Sequence, residues 1–199
     1  DKVLVMAAAQ SIETFIVLNK QDLGKSGNLK AVYEQAGYRT LTVSAVTGEG
    51  IDGLKQLLFG YTSAFTGNSG IGKSSILNHI DARFALKVGD ISAKISRGKN
   101  TTRHIELMQL PQGGFVADTP GFSAFEITKE DHISKDQLQH LFPEIAVLFG
   151  QCRFATCAHL SEPGCAVKEK LAQGGIAPSR YESYVKLYQE ICKIKEWET

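Results

Sequence analysis

Apolar positions along the chain fall first into short continuous runs and later into helical stripes. Val3–Ala7 and Thr14–Leu18 are continuous apolar runs, which read as strands covered on both faces of a parallel sheet. Parallel neighbours need a crossover of roughly a dozen residues or more, but only Ala8–Glu13 separates these two runs. Residues are therefore expected to be absent between about Ala8 and Ile12. Leu29–Gln35 reads as a helix closed by Gly37, Leu41–Ser44 as a third strand, Gly53–Leu58 as a short helix and Tyr61–Thr66 as a further strand. Ser74–Ile80 has helical spacing. Lys87–Arg103 lacks periodicity and reads as a mobile loop. His104–Leu110 alternates, Pro111–Gly114 is a hairpin turn, and Phe115–Ala117 returns as its partner. From about Ser123 strands stop. Helices are expected over His132–His140, from Pro143, over Cys165–Ala172 and from an N-cap at Ser179 to about Trp197, the last with Tyr181, Tyr184, Tyr188, Ile191 and Ile194 on one side. The pattern predicts an α/β domain over residues 1–125, its mainly parallel sheet carrying helices on both faces, followed by a small α-helical domain over residues 126–199.

Composition narrows the class. Of 199 residues, 43% are hydrophobic and 22% charged, enough to build a core. The net charge of +1 gives no overall push towards nucleic acid. No apolar run approaches the roughly 20 residues that span a bilayer, and no signal-peptide pattern opens the chain. A start at Asp1 rather than Met points to a piece of a longer chain. The expected location is the cytoplasm, the expected state a monomer without a membrane partner.

One stretch carries explicit chemistry. Gly67-Asn68-Ser69-Gly70-Ile71-Gly72-Lys73-Ser74 fits G-x-x-x-x-G-K-[ST] between an expected strand and an expected helix. Its glycines let backbone N–H groups wrap a phosphate at a helix N-terminus. Lys73 would reach the β- and γ-phosphates, Ser74 would offer its hydroxyl to Mg²⁺, and Ser75 would join the phosphate contacts. Asn19-Lys20-Gln21-Asp22 fits N-K-x-D after a strand. The Asp22 carboxylate can accept from guanine N1–H and the 2-amino group, Lys20 can lie along the base, and Asn19 can tie this loop to the phosphate loop. Such paired polar contacts discriminate strongly between bases, and disfavour an ATPase. Ser44-Ala45 ends the next strand, where a backbone N–H can meet guanine O6. Asp118-Thr119-Pro120-Gly121 fits D-x-x-G: Asp118 can hold Mg²⁺ and the Gly121 N–H can sense the γ-phosphate. Thr102, with Thr101 one residue away, can supply a second hydroxyl to Mg²⁺. Lys73, Thr102 and Gly121 are the candidates for a catalytic role.

Cys152, Cys157, His159 and Cys165 crowd within fourteen positions. Three thiolates and an imidazole are the set for a closed tetrahedral structural Zn²⁺, one per chain. Cys192 reads as a packed free thiol. Arg97, Arg103, Arg153, Lys168 and Lys170 fit either RNA phosphate contacts or a solvated face.

The combination resembles the P-loop GTPases, but with N-K-x-D and S-A ahead of the P-loop, a circular permutation. With Gly98–Thr102, the run Asp118–Phe122 and the Cys/His cluster, the chain resembles the ribosome small-subunit-dependent GTPases of the YjeQ or RsgA family over essentially its whole length. The resemblance implies a circularly permuted GTPase domain and a zinc domain, with an N-terminal OB-fold domain lying before the point where this sequence starts. It also implies GTP and GDP as ligands, Mg²⁺ with GTP, and the 30S subunit and its 16S rRNA as partners in late subunit maturation. Asn100 stands where that family often has His. Phe122 stands where a water-orienting Gln would follow D-x-x-G, so slow unassisted hydrolysis is expected. A zinc-dependent RNA- or ribosome-binding nucleotide switch with little catalysis of its own is the alternative.

Overall fold

A computed structural model describes residues 1–24, 27–84, 106–118 and 133–196. The described residues divide into two compact units. One gathers 17–24, 27, 41–84 and 106–118; the other gathers 1–16, 28–40 and 133–196. Thr101, Thr102, Gly121, Phe122, Arg97 and Arg103 lie outside the described residues, as do the Lys87–Arg103 loop and the expected boundary near residue 125.

The first unit is a mixed α/β layer. Strand β1 (Phe15–Leu18) pairs with β2 (Arg39–Thr42), the first two residues of each strand counting with the helical unit, and β3 (Thr62–Ala64), β4 (Glu106–Gln109) and β5 (Phe115–Asp118) form a sheet ordered β3-β5-β4. β3 runs parallel to β5 with Ser63 opposite Val116, and β4 runs antiparallel to β5 with Met108 opposite Val116. The β4–β5 turn closes on a bond from the Leu110 N–H to the Gly114 carbonyl at 3.0 Å. Gly114 has φ +92°, and a Cβ there would stand 2.6 Å from the Tyr61 carbonyl oxygen, so the approach of β3 demands glycine. Helices α3 (Ile51–Leu58) and α4 (Lys73–Ile80) cover the sheet through Ile51, Leu54 and Leu58 on one and Ile76, Leu77 and Ile80 on the other. These residues share a core with Val43, Leu110 and Val116. Their spacing of three and four is the helical stripe that burial selects.

The second unit is helical. It holds α1 (Lys2–Ala9), α2 (Gly27–Gln35, from residue 28 onwards), α5 (Lys135–Leu138), α6 (Pro143–Ala146), α7 (Ala166–Ala172) and α8 (Pro178–Glu196). The run Val3–Ala7 is helix and not strand. A short continuous apolar run suits either state, and Leu4, Met6 and Ala7–Ala9 are strong helix formers. Val5 is buried and Met6 packs beside it in the helical core. The helix closes through Ser11 at φ 56°, with the Ile12 N–H donating to the Ala7 carbonyl at 2.9 Å. With a helix in first position no parallel crossover is needed. The last helix starts at Pro178, one residue before the expected cap at Ser179, because proline is favoured in the first helical position. The N–H groups of Arg180 and Tyr181 donate to the Ala177 carbonyl. Tyr184, Leu187 and Ile191 form the buried stripe of α8, with Tyr181 and Tyr188 at its margin.

At the centre of this unit Arg180 is 1% exposed. Its guanidinium donates to both Glu144 carboxylate oxygens, at 2.7 and 3.3 Å, and to the Asp1 carboxylate. The faces of Phe142, Tyr38 and Tyr33 lie 4.7, 5.3 and 5.6 Å from it. A buried cation is tolerated only with this degree of pairing.

Candidate nucleotide and metal sites

The glycine-rich loop lies between β3 and α4, as its chemistry requires. Gly72 caps α4 at φ 95°. A Cβ on Gly72 would come 2.3 Å from Asn19 Nδ2, so both the left-handed backbone and the contact exclude a side chain. Asn19 links three segments. Its Nδ2 donates to the Ile71 carbonyl at 2.8 Å and its Oδ1 accepts the Ala45 N–H at 3.0 Å. The Asn19–Asp22 loop, the Ser44–Ala45 strand end and the Gly67–Ser74 loop therefore form one hydrogen-bonded constellation. Lys73 Nζ crosses the loop and donates to the carbonyls of Gly67 and Asn68. Partial burial lowers its pKa below the ordinary 10.5. Ser74 is buried in the first turn of α4.

Asp22 is held by a neighbour. Ser44, 0% exposed, donates its hydroxyl to Asp22 Oδ1 at 2.6 Å while its oxygen accepts the N–H groups of Val46 and Thr47 at 3.2 and 3.1 Å. One carboxylate oxygen is thus fixed, and the exposed Asp22 presents the group at a set angle. Sequence reasoning assigned Ser44 only a backbone part; its side-chain part appears where folding brings the Ser44 hydroxyl onto the Asp22 carboxylate. Lys20 occupies the left-handed region at φ 67°, at the turn into the short 3₁₀ segment Gln21–Leu23. Asp118 ends β5 opposite Glu106. Ser69 and Ser75 lie on the loop and in the first turn of α4.

The metal-ligand cluster belongs to the helical unit. The ligand atoms of Cys152, Cys157, His159 and Cys165 lie within 4.8 Å of one another. His159 Nδ1 stands 3.5 Å from Cys152 Sγ and 3.4 Å from Cys165 Sγ. The loop geometry is unusual for histidine: His159 is 3% exposed with φ 62°. Side chains around the loop stabilise that conformation. The Glu162 carboxylate accepts the N–H groups of Ala158, Leu160 and Ser161 at 2.9, 2.9 and 3.0 Å. Tyr181 donates to the His159 carbonyl at 2.7 Å and Tyr184 to that of Ala158 at 3.1 Å. Burial lowers the His159 pKa, which favours the neutral imidazole that a metal needs, and burial holds the Cys157 thiol well above its ordinary 9.0. Thiols crowded this way without a disulfide geometry, together with one inward imidazole nitrogen, suit a soft divalent ion that deprotonates its own ligands. The cluster can therefore hold a metal. Cys192 lies apart from it, half-buried on α8.

A P-loop motif after β3, with the N-K-x-D and S-A elements ahead of it and D-x-x-G after it in sequence, is the order of a circularly permuted P-loop GTPase. The comparisons with known proteins agree with that order. A family model described as RsgA GTPase matches residues 1–128. A small ribosomal subunit biogenesis GTPase RsgA from Moorella thermoacetica is 46% identical over 193 residues, covering 96% of this chain and 66% of that protein. One of the same name from Ruminiclostridium cellulolyticum is 42% identical over 199 residues, covering 99% of the chain and 64% of that protein. The crystal structure of YjeQ from Thermotoga maritima superposes with a TM-score of 0.76 at 39% identity, covering 96% of this chain and 64% of that one. YloQ, described as a circularly permuted GTPase, superposes with a TM-score of 0.72 at 32% identity, covering 96% and 61%. The chain belongs to the RsgA GTPase family. It spans just under two thirds of the length of the Moorella and Ruminiclostridium proteins.

Among the described residues, no helix is long and apolar enough to cross a membrane. Sequence reasoning missed Glu162, Arg180 and the side-chain part of Ser44. Arg180 and Ser44 meet their partners 36 and 22 residues away only through folding, whereas Glu162 caps N–H groups one to four residues before it in a tight loop that no simple motif marks.

Proposed function

We propose that this chain binds GTP and GDP, hydrolyses GTP, and acts in late maturation of the bacterial 30S ribosomal subunit, with hydrolysis stimulated by that subunit. The observation that carries the reading is Asn19, bonded to Ile71 of the phosphate loop and to Ala45 of the base loop at once. A ligand with a guanine at one end and a phosphate chain at the other matches that constellation. Asp22 would accept from N1–H and the 2-amino group, Ala45 would offer its N–H to O6, and Gly67–Ser75 would surround the phosphates. Ser74, Thr102 and Asp118 are oxygen ligands suited to Mg²⁺, which supplies charge neutralisation for phosphoryl transfer. Lys73 would shift its ammonium from loop carbonyls to phosphate oxygens, and the Gly121 N–H would report the γ-phosphate. In this reading residues 1–125 carry the nucleotide and residues 126–199 carry the metal, a division by chemistry that cuts across the two packing units. Cys152, Cys157, His159 and Cys165 would hold Zn²⁺, which supplies structural cross-linking and leaves no open position for catalysis. The location is the cytoplasm, the working state a monomer, and the partner surface is 16S rRNA on the subunit.

Phosphate release from GTP with and without added 30S subunits tests the proposal. Stimulated release supports it; no release in either condition contradicts the enzyme reading. A second reading, a zinc-dependent ribosome-binding nucleotide switch with little turnover, draws on Phe122, which stands where a water-orienting glutamine would be expected. Nucleotide-dependent subunit binding without hydrolysis would favour it.

A further inference from the structure

We propose that Gln139 is a positioning residue for the metal: it fixes the tautomer of His159 so that Nδ1, and not Nε2, is the ligand nitrogen. His159 Nε2 lies 3.0 Å from Gln139 Oε1, on the side of the ring away from the thiols. A carbonyl oxygen only accepts, so that contact requires a proton on Nε2. The identity of the Gln139 atom is itself set locally, since its Nε2 donates to the Asp136 carbonyl at 3.2 Å. Turning the amide over would set its oxygen against the Asp136 carbonyl oxygen and lose that bond, so the Asp136 carbonyl selects the orientation with Oε1 towards the ring. With Nε2 protonated, the lone pair of the neutral ring sits on Nδ1, the atom 3.4–3.5 Å from two cysteine sulfurs.

The support behind Gln139 is built as well. It follows α5, whose start is held by a reciprocal cap: the Gln137 N–H donates to Ser134 Oγ at 3.2 Å and the Ser134 N–H to Gln137 Oε1 at 2.9 Å. The segment that carries the outer partner is thereby anchored independently of the ligand loop. Outer partners of metal-bound histidines are commonly carboxylates or carbonyls. Here three thiolates and a divalent ion would already sum to one negative charge, and a neutral amide orients the ring without adding another.

The proposal rests on the reading of the cluster as a zinc site, and its test separates the two. Zinc affinity is measured by competition with a chromophoric chelator, and the His159 ring nitrogens are followed by ¹⁵N NMR in metal-free and zinc-loaded protein. The expected result is an Nε2–H tautomer in both forms, with Nδ1 coordinated after loading. Gln139→Leu is expected to weaken zinc binding by about 10–100-fold with an unchanged far-ultraviolet spectrum when loaded. Gln139→Glu keeps an acceptor and should stay within about threefold of the parent. An Nδ1–H tautomer in the parent protein, coordination through Nε2, or parental affinity in Gln139→Leu each overturns the proposal. If Gln139→Leu does not fold, the parent spectra and Gln139→Glu still decide it. Failure of the parent to take up zinc would instead refute the metal reading, and the metal-free tautomer would then judge this inference alone.

Discussion

The candidate nucleotide loops and the candidate metal knuckle are both built at the ends of short elements, from opposite materials. The glycine-rich loop is shaped chiefly by backbone. Gly67, Gly70 and Gly72 all have positive φ, Ile71 contributes its carbonyl and Ala45 its N–H, and Lys73 is the single cation among the loop's own eight residues. The metal knuckle is made of side chains. Its four candidate ligands are supported by side chains of Gln139, Glu162, Tyr181 and Tyr184, and a histidine sits where glycine would be at ease. The difference follows from the ligands. A phosphate chain is met by many N–H donors at close range, which a loop offers when glycine occupies its left-handed positions, here Gly67, Gly70 and Gly72. A soft ion is met by a few sulfur and nitrogen atoms, and the backbone must bend to whatever the side chains need.

That contrast predicts where each region breaks. The largest effect is expected at the knuckle. Structural zinc sites contribute about 10–16 kcal/mol in small peptides at neutral pH, so Cys157→Ser should abolish stable metal uptake and lower the melting temperature of the helical unit, read by circular dichroism with and without chelator. The nucleotide unit should keep its own transition.

The next largest falls on backbone. Gly72→Ala places a methyl in a left-handed conformation against Asn19, a strain of about 1–3 kcal/mol. Guanine nucleotide affinity should drop about 10–100-fold by isothermal titration, while metal content is untouched. A wild-type affinity would show that the loop does not depend on a backbone free of side chains.

The smallest effect is electrostatic. Burial depresses the Lys73 pKa in the folded chain. Between that lowered value and the ordinary 10.5 the unfolded chain holds more protons, so stability rises with pH across this window and the penalty is fully present below it. Lys73→Met should therefore slightly raise the nucleotide-free melting temperature at neutral pH and remove its alkaline rise, at the cost of nucleotide binding. A lower melting temperature at neutral pH would contradict the assignment.

The two regions also differ in how much of them could be read before folding. The glycine-rich motif, N-K-x-D and the Cys/His cluster are legible because the ligands proposed for them would dictate each residue type. The strands β3 and β5, the hairpin at Leu110–Gly114 and helices α3, α4 and α7 were legible from periodicity. The Val3–Ala7 run was not, because period cannot decide a short run that is apolar throughout; only packing of Val5 and Met6 in the helical unit settles it. The residues behind the ligands were not legible either. Ser44 acts on Asp22 from 22 residues away, Gln139 on His159 from 20 and Arg180 on Glu144 from 36. No local rule relates such positions; the fold brings them together.

The central claim is that Asp22, clamped by Ser44, makes the phosphate loop a guanine site. Equilibrium binding of GDP, ADP and xanthosine diphosphate to the parent chain and to Asp22→Asn tests it most directly. The account predicts that the parent prefers GDP over ADP by at least about 100-fold, and that Asp22→Asn loses GDP while gaining xanthosine diphosphate, whose 2-oxo group accepts from the new amide. Equal affinity of the parent for ADP and GDP, or an Asp22→Asn variant that still prefers GDP, would contradict it.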